Sequence, residues 1–288
     1  MIVISNSVLT IVTICRTREL HTNQYIFIVS LSIADILMAL SFFATAIIHL
    51  TGLNSIVEDF GIINKLLYGM LFSCVVLDML HMSIIAVDRY IHIAHPFYYI
   101  KYMTKQRTVK ILSVAYVLCF IDTFIPAIAY QDDTYKRCLN TNEPTEYYYS
   151  NTSILSINTI VAFLCYSKIA WIAIRHKQAA MFRRQQTRDT ESNIINRNNR
   201  MMVMKSVKFF LAMFGVFFML SLPPFVITNL AASSIVSDVL KVIATYCFPL
   251  HSVLNFIICC SMSQSFFKAL KKTLVDLQTC CFTACYQE

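Results

Sequence analysis

The sequence predicts an all-α membrane protein: a bundle of seven transmembrane helices followed by a short amphipathic eighth helix. Three observations predict it. Of 288 residues, 57% are hydrophobic and only 14% charged, and the mean hydropathy is +0.60. A soluble domain of this length needs far more charge on its surface. The apolar residues fall into seven runs that break at charge clusters or polar loops, and a helix needs roughly 20 such residues to cross a bilayer. The basic residues are also one-sided. Arg16, Arg18, Lys101, Lys105, Arg107, Lys110, the cluster from Arg175 to Lys208, Lys268, Lys271 and Lys272 fall on one side, against Lys65, Lys136, Arg137 and Lys241 on the other. This is the positive-inside pattern, and it places the C-terminus in the cytoplasm.

Taken in order, the first span covers about 1–15. It is short for a bilayer, and a signal peptide is disfavoured because neither a charged start nor a small-residue cleavage site is present. The expectation is a clipped first helix with no extracellular tail before it. The second span covers about 23–50, the third 61–94, the fourth 107–130 and the fifth 151–176. Between the fourth and fifth lies a polar outer loop, 131–150, with the chain's one glycosylation sequon just after it at Asn151-Thr152-Ser153. The sixth span covers about 201–232, after a charge-rich inner segment whose stretch 189–199 is expected to be disordered. The seventh covers about 238–261. In 263–275, Phe266, Phe267, Leu270 and Leu274 alternate with Lys268, Lys271 and Lys272. That is the spacing of an amphipathic helix lying on the inner leaflet, with a cytoplasmic tail over 276–288. All of this forms one domain, 1–288, with no internal repeat of the kind many transporters carry.

Composition excludes as much as it supports. The net charge of +8 is spread along membrane-facing segments, with no basic soluble domain to carry it to nucleic acid. Its partner is anionic membrane lipid. No nucleophile–base pair or metal-ligand set suggests an enzyme.

The motifs fall on particular spans. Asp88-Arg89-Tyr90 closes the third span on the basic side, six residues before Pro96. An Arg at the mouth of a membrane helix with an acidic neighbour is a charged element that can be locked or released. Alternatively, it is an interfacial cation snorkelling to headgroups. Asp35 in the second span, Asp78 in the third, and His251, Ser252 and Asn255 in the seventh form a polar set, the last three spaced to share one helix face. Two buried carboxylates cannot both ionise without a cation between them. Either a cation sits there, or one acid is protonated and hydrogen-bonded to His251, or the cluster is neutral and only packs helices. His81 and Asp122 read as a separate packing contact. Cys280, Cys281 and Cys285 follow the amphipathic helix and are candidates for lipidation. Zinc there lacks a fourth ligand.

In this order, these residues resemble the rhodopsin-like (class A) G-protein-coupled receptors over nearly the whole chain. Asn6 stands where the first-helix Asn would be. The run from Ser30 to Asp35 looks like the second-helix "SLAxAD". Asp88-Arg89-Tyr90, Pro96 and Tyr99 match the third helix and second inner loop, and Pro126 and Tyr166 match the fourth and fifth helices. Phe218, Pro224 and Phe225 resemble the sixth-helix "FxxCWxPF", and Asn255 and Phe266 the start of "NPxxY" and the eighth-helix Phe. The departures are Leu222 for the sixth-helix Trp, Tyr116 for the fourth-helix Trp, Asn158 for the fifth-helix Pro, Phe256 and Cys259 in "NPxxY", and Asn64 for the third-helix Cys. The last leaves Cys138 without its usual partner.

The missing Pro and Cys are similar to the melanocortin, lysophospholipid and cannabinoid branch, and Ser83 to Tyr90 resembles the melanocortin pattern. The positions where melanocortin receptors carry acids are Thr45, Asn64 and Tyr68. The amine-receptor Asp falls at Leu71. The opsin Lys and the adenosine-receptor His both fall at Pro249, although Asn229 matches an adenosine-receptor Asn. The resemblance implies an extracellular ligand, here of unknown identity, and a heterotrimeric G protein engaged through Asp88, Arg89, Tyr90 and Tyr166. It also implies a sodium ion at the Asp35 cluster, where the family's Ser position is Asp78. The ligand pocket it implies is lined by Leu71, Phe72, Val75, Leu222, Phe225, Val226, Asn229, Thr245 and Phe248, which suits an apolar ligand. With the sixth-helix acid replaced by Met204, the off state is expected to be weakly held. The rivals are a seven-helix ion or proton transporter using Asp35, Asp78, Asp122 and His251, and a receptor-like protein that has lost signalling.

Overall fold

The structure, a computed structural model, describes residues 1–50, 61–129, 145–184, 208–223 and 249–285. These residues are helical almost throughout: α1 (Ile2–Arg16), a 3-10 turn (Arg18–Leu20), α2 (Asn23–Leu50), α3 (Gly61–Ala94), α4 (Pro96–Tyr102), α5 (Lys105–Ala129), α6 (Thr145–Arg184), α7 (Lys208–Pro223), α8 (Leu250–Met262) and α9 (Gln264–Cys285). In hydrocarbon each backbone polar group must be satisfied within its own segment, so apolar runs of this length become helices. Four of these helices (α2, α3, α5 and α6) are long and apolar enough to cross a membrane, and α1 and α7 are shorter apolar helices. Every one of the seven expected spans therefore contains described helix. The stretch 189–199 and the ends of the sixth and seventh spans lie outside the described residues, as does Cys138.

α3 is the central helix, packing against α2, α5 and α6. Its hydrophobic run is buried more completely than those of α5 and α6, which turn Val114, Phe120, Ile157 and Phe163 outward to lipid. α1 packs on α2, α8 and α9, so the first span lies beside the last. A core of Phe27, Met82, Ile85, Ile169, Phe210, Phe217 and their neighbours joins α2, α3, α6 and α7.

Small residues and local polar contacts set the close approaches. A Cβ on Gly69 would collide with the Thr123 carbonyl of α5 and lie 3.2 Å from Pro126 Cδ. Only glycine lets α3 approach α5 there. Pro126 has no N–H, which leaves the carbonyl of Asp122, four residues back, without its helical donor. The Tyr147 hydroxyl reaches across from α6 to both Asp122 groups, 3.1 Å from Oδ2 and 3.4 Å from the carbonyl oxygen. Burial raises the Tyr147 pKa, so the hydroxyl stays a neutral donor.

The structure departs from the sequence expectations in three places. α6 begins at Thr145, inside the stretch read as an outer loop, because Tyr147 anchors its first turns on Asp122 and, edge-on at 6.4 Å, on Phe72. Asn151 is therefore a buried helix residue donating Nδ2 to the Tyr147 carbonyl at 3.3 Å. The second inner loop contains α4, an additional helix that starts at Pro96, where the ring suits a first helical position and the missing N–H costs nothing. The amphipathic helix turns by 104° from α8 and runs to Cys285 rather than ending near 275. Phe266, Ala269, Leu270 and Thr273 face inward while Lys268, Lys271 and Lys272 stay exposed.

Candidate functional site: a locked arginine and a buried polar cluster

At the end of α3, Asp88 and Arg89 are both buried, at 1% and 4% exposure. A charge survives such burial only when it is paired. Arg89 donates Nε to Asp88 Oδ2 at 2.9 Å, with a terminal nitrogen at 2.5 Å from the same oxygen. The Tyr99 hydroxyl of α4 donates to that oxygen from 3.5 Å. Burial, and then the Asp88 charge, raise the Tyr99 pKa and keep it a donor. From the opposite side, the Phe210 ring of α7 lies 5.2 Å from the guanidinium carbon, a cation–π contact. Tyr166 is buried on α6 with its ring 5.2 Å from Phe214, and its hydroxyl has no hydrogen-bond partner among the described residues. Tyr90 is half-buried, edge-on to His95 at 6.3 Å. Arg89 is thus held by Asp88, and Tyr166 stands unengaged across the same core.

The sequence named Asp88, Arg89, Tyr90, Tyr99 and Tyr166 but not Phe210. The sixth-helix acid of the family falls at Met204, outside the described residues, so the sequence offered no partner for Arg89 on that helix. Nothing in the sequence separates Phe210 from the other apolar residues of that span.

Nearer the middle of the bundle, α2, α3 and α8 bring Asp35, Asp78 and His251 together. His251 Nε2 lies 3.7 Å from Asp35 Oδ1 and 3.4 Å from Asp78 Oδ2. All three are essentially inaccessible to solvent. Ser252 donates to Asp35 Oδ1 at 2.6 Å. Asn255, buried on the same face of α8, has no hydrogen-bond partner at either amide atom among the described residues. Asn6, Asp35, Ser252 and Asn255 help to line a small cavity between α1, α2 and α8. The spacing of His251, Ser252 and Asn255 did predict one shared face.

His81 and Asp122 each have partners of their own, and neither belongs to the group in which Asp35, Asp78 and His251 converge. His81 Nε2 is 2.7 Å from Ser30 Oγ and its Nδ1 2.8 Å from the Leu77 carbonyl oxygen, with Tyr116 edge-on at 5.4 Å. Tyr116 also donates to the Ser30 carbonyl at 2.6 Å, so the residue in place of the fourth-helix Trp ties α5 to α2. Asp122 belongs to Tyr147. A carboxylate path running through Asp122 to His251 is not assembled among the described residues.

The expected ligand pocket is described only in part. Leu71, Phe72 and Val75 are half-buried on α3, and Leu222 is exposed near the end of α7. Phe225, Val226, Asn229, Thr245 and Phe248 lie outside the described residues. Cys280, Cys281 and Cys285 are carried on the final turns of α9.

An apolar helical bundle with a buried Arg–Asp pair at the end of its central helix, a buried polar cluster between its helices and an amphipathic helix after the last span is the architecture of a multi-pass membrane protein. Residues 6–266 match the family model of the seven transmembrane receptors of the rhodopsin family, and the chain belongs to that family. It is similar to human olfactory receptor 1D2, 29% identical over 118 residues, which is 41% of this chain and 37% of the relative. It is 28% identical over 128 residues to gorilla olfactory receptor 1D2, covering 44% and 40%. The zebrafish melanocortin receptor 4 is 26% identical over 140 residues, covering 46% and 42%. The matched segments span about two fifths of the length of these relatives.

Proposed function

We propose that this chain is a plasma-membrane receptor, with its C-terminus in the cytoplasm, that binds an extracellular ligand and activates a heterotrimeric G protein. The observation that carries the reading is Arg89, a buried cation held between Asp88 on its own helix and the Phe210 ring on α7. An outward displacement of α7 removes the ring and frees the guanidinium to turn toward Tyr166 and an incoming G-protein tail. The ligand acts by favouring the displaced packing, since only differential affinity moves the equilibrium. The half-buried apolar side chains of Leu71, Phe72 and Val75 favour an apolar ligand over a cationic peptide or amine. Acyl chains on Cys280, Cys281 and Cys285 would hold the end of α9 at the inner leaflet.

The test is nucleotide exchange on a panel of purified G proteins with Arg89→Ala. The variant should reach the cell surface at wild-type level and lose most exchange activity. Full exchange by Arg89→Ala would remove the Arg from the mechanism.

A further inference from the structure

The cluster at Asp35 has the wrong donors for the sodium ion that the family resemblance implies. Sodium is a hard cation suited to oxygen, whereas here a second carboxylate, Asp78, and an imidazole nitrogen, His251 Nε2, converge on the place. We propose that Asp35, Asp78 and His251 form a site for a divalent transition-metal ion of the zinc class, and that this ion ties α2, α3 and α8 together.

The geometry supports the assignment. One ligand atom from each residue lies within 4.8 Å of the other two. A tetrahedral zinc ion with bonds of about 2.0–2.2 Å sets neighbouring ligand atoms about 3.3–3.6 Å apart. The imidazole-to-carboxylate distances are 3.4 Å to Asp78 and 3.7 Å to Asp35. The three donors come from three helices, so no single local turn accounts for their meeting.

The charge supports it as well. Two carboxylates beside a neutral imidazole carry two negative charges in a medium that penalises each of them. A divalent ion cancels both, while a monovalent ion leaves one. Imidazole and carboxylate together are ligands for zinc and its neighbours, whereas magnesium and calcium prefer oxygen alone.

Two further groups point to a ligand rather than to packing. Asp78 is fully buried, yet neither of its carboxylate oxygens accepts a hydrogen bond among the described residues. Asn255 stands four residues after His251, is 4% exposed, and among the described residues neither its amide oxygen nor its amide nitrogen has a partner. Polar side chains at such depth are ordinarily satisfied. Asn255 and Asp35 share the wall of a cavity of about 10 Å³, close to the smallest space that holds one water.

The experiment uses the full chain purified into lipid nanodiscs, melted with zinc chloride, magnesium chloride or sodium chloride and followed by intrinsic fluorescence. A ligand bound only by the folded state raises the melting temperature with its concentration. Micromolar zinc should raise it by several degrees, with magnesium and sodium ineffective at that concentration. Asp78→Ser and His251→Gln should each abolish the zinc shift while still melting cooperatively. X-ray absorption at the zinc edge of the wild-type protein should show one imidazole and otherwise oxygen ligands. That measurement decides the matter if either variant fails to fold.

A sodium shift that survives His251→Gln, with no zinc shift, assigns the site to sodium and overturns the proposal. A zinc shift that persists in both variants, or sulfur in the zinc shell, places the metal on cysteines instead. No shift with any ion makes the cluster a neutral packing contact. None of these readouts involves a G protein, so the outcome is independent of the proposed signalling role.

Discussion

Arg89 shows how one side chain can be stable and poised at once. Its charge is buried, so it needs partners, and among the described residues these include an ion pair on its own helix and an aromatic face on another. The Asp88 contact lies within α3 and does not depend on where α7 sits. The Phe210 contact is the one that a displacement of α7 breaks. Phe210→Ala should therefore raise ligand-independent nucleotide exchange by several-fold. A cation–π contact is worth about 0.5–2 kcal/mol, and each 1.4 kcal/mol is tenfold in an equilibrium. Measuring basal exchange at matched surface expression checks this, and an unchanged basal rate would leave Asp88 as the whole restraint. Phe210 was not legible as a partner because a phenylalanine in an apolar span looks like every other. Only its position over the guanidinium separates it.

At the scale of the element, α5 and α6 depend on each other through a defect. Pro126 breaks the α5 hydrogen-bond ladder, and the hydroxyl of Tyr147, at the start of α6, supplies the missing donor. That contact also explains why α6 begins at Thr145 in a stretch whose composition reads as a loop. Tyr147→Phe keeps the ring against Phe72 but removes the donor from the Asp122 carbonyl and carboxylate. The expected loss is about 1–3 kcal/mol, the usual cost of leaving a buried acceptor unsatisfied. Thermal melting in nanodiscs would register it as a lower midpoint, and an unchanged midpoint would mean that water serves the carbonyl equally well. The Pro was visible in the sequence. Its partner was not, since nothing local relates position 122 to position 147.

For the whole molecule, α3 serves as the axis on which α2, α5 and α6 pack, and both polar features are built along it. Asp78 lies at mid-helix and Asp88 near its end, so the buried cluster and the Arg lock ride on the same element. A rearrangement of α3 against its neighbours is felt at both. The bundle is held by helix packing and polar contacts between helices, and Cys15, Cys74, Cys119, Cys165, Cys259 and Cys260 are free thiols. Asn64 stands where the resemblance puts the third-helix Cys, and Cys74 of α3 is a free thiol. Cys138→Ser should accordingly leave surface expression and the melting midpoint essentially unchanged. A loss on the order of the 2–5 kcal/mol typical of removing a native disulfide would reveal a partner elsewhere in the chain.

The sequence by itself determined the class of fold and the residues that match the family, and it set the expectation for the order of the spans and the inner face. Each of these follows from one-dimensional quantities: the length of apolar runs, the sign of loop charge and the spacing of motifs. The shared face of His251, Ser252 and Asn255 was likewise legible, because helical periodicity is local. The tertiary structure alone decided which groups from different helices meet. It placed His251 against Asp35 and Asp78, Phe210 over Arg89, Tyr147 on Asp122 and Tyr116 on Ser30. It also gave His81 and Asp122 partners of their own. Those pairings depend on helix rotation and crossing angle, which are set by many small packing contacts such as the bare Cα of Gly69 against α5. No single residue announces them in the sequence.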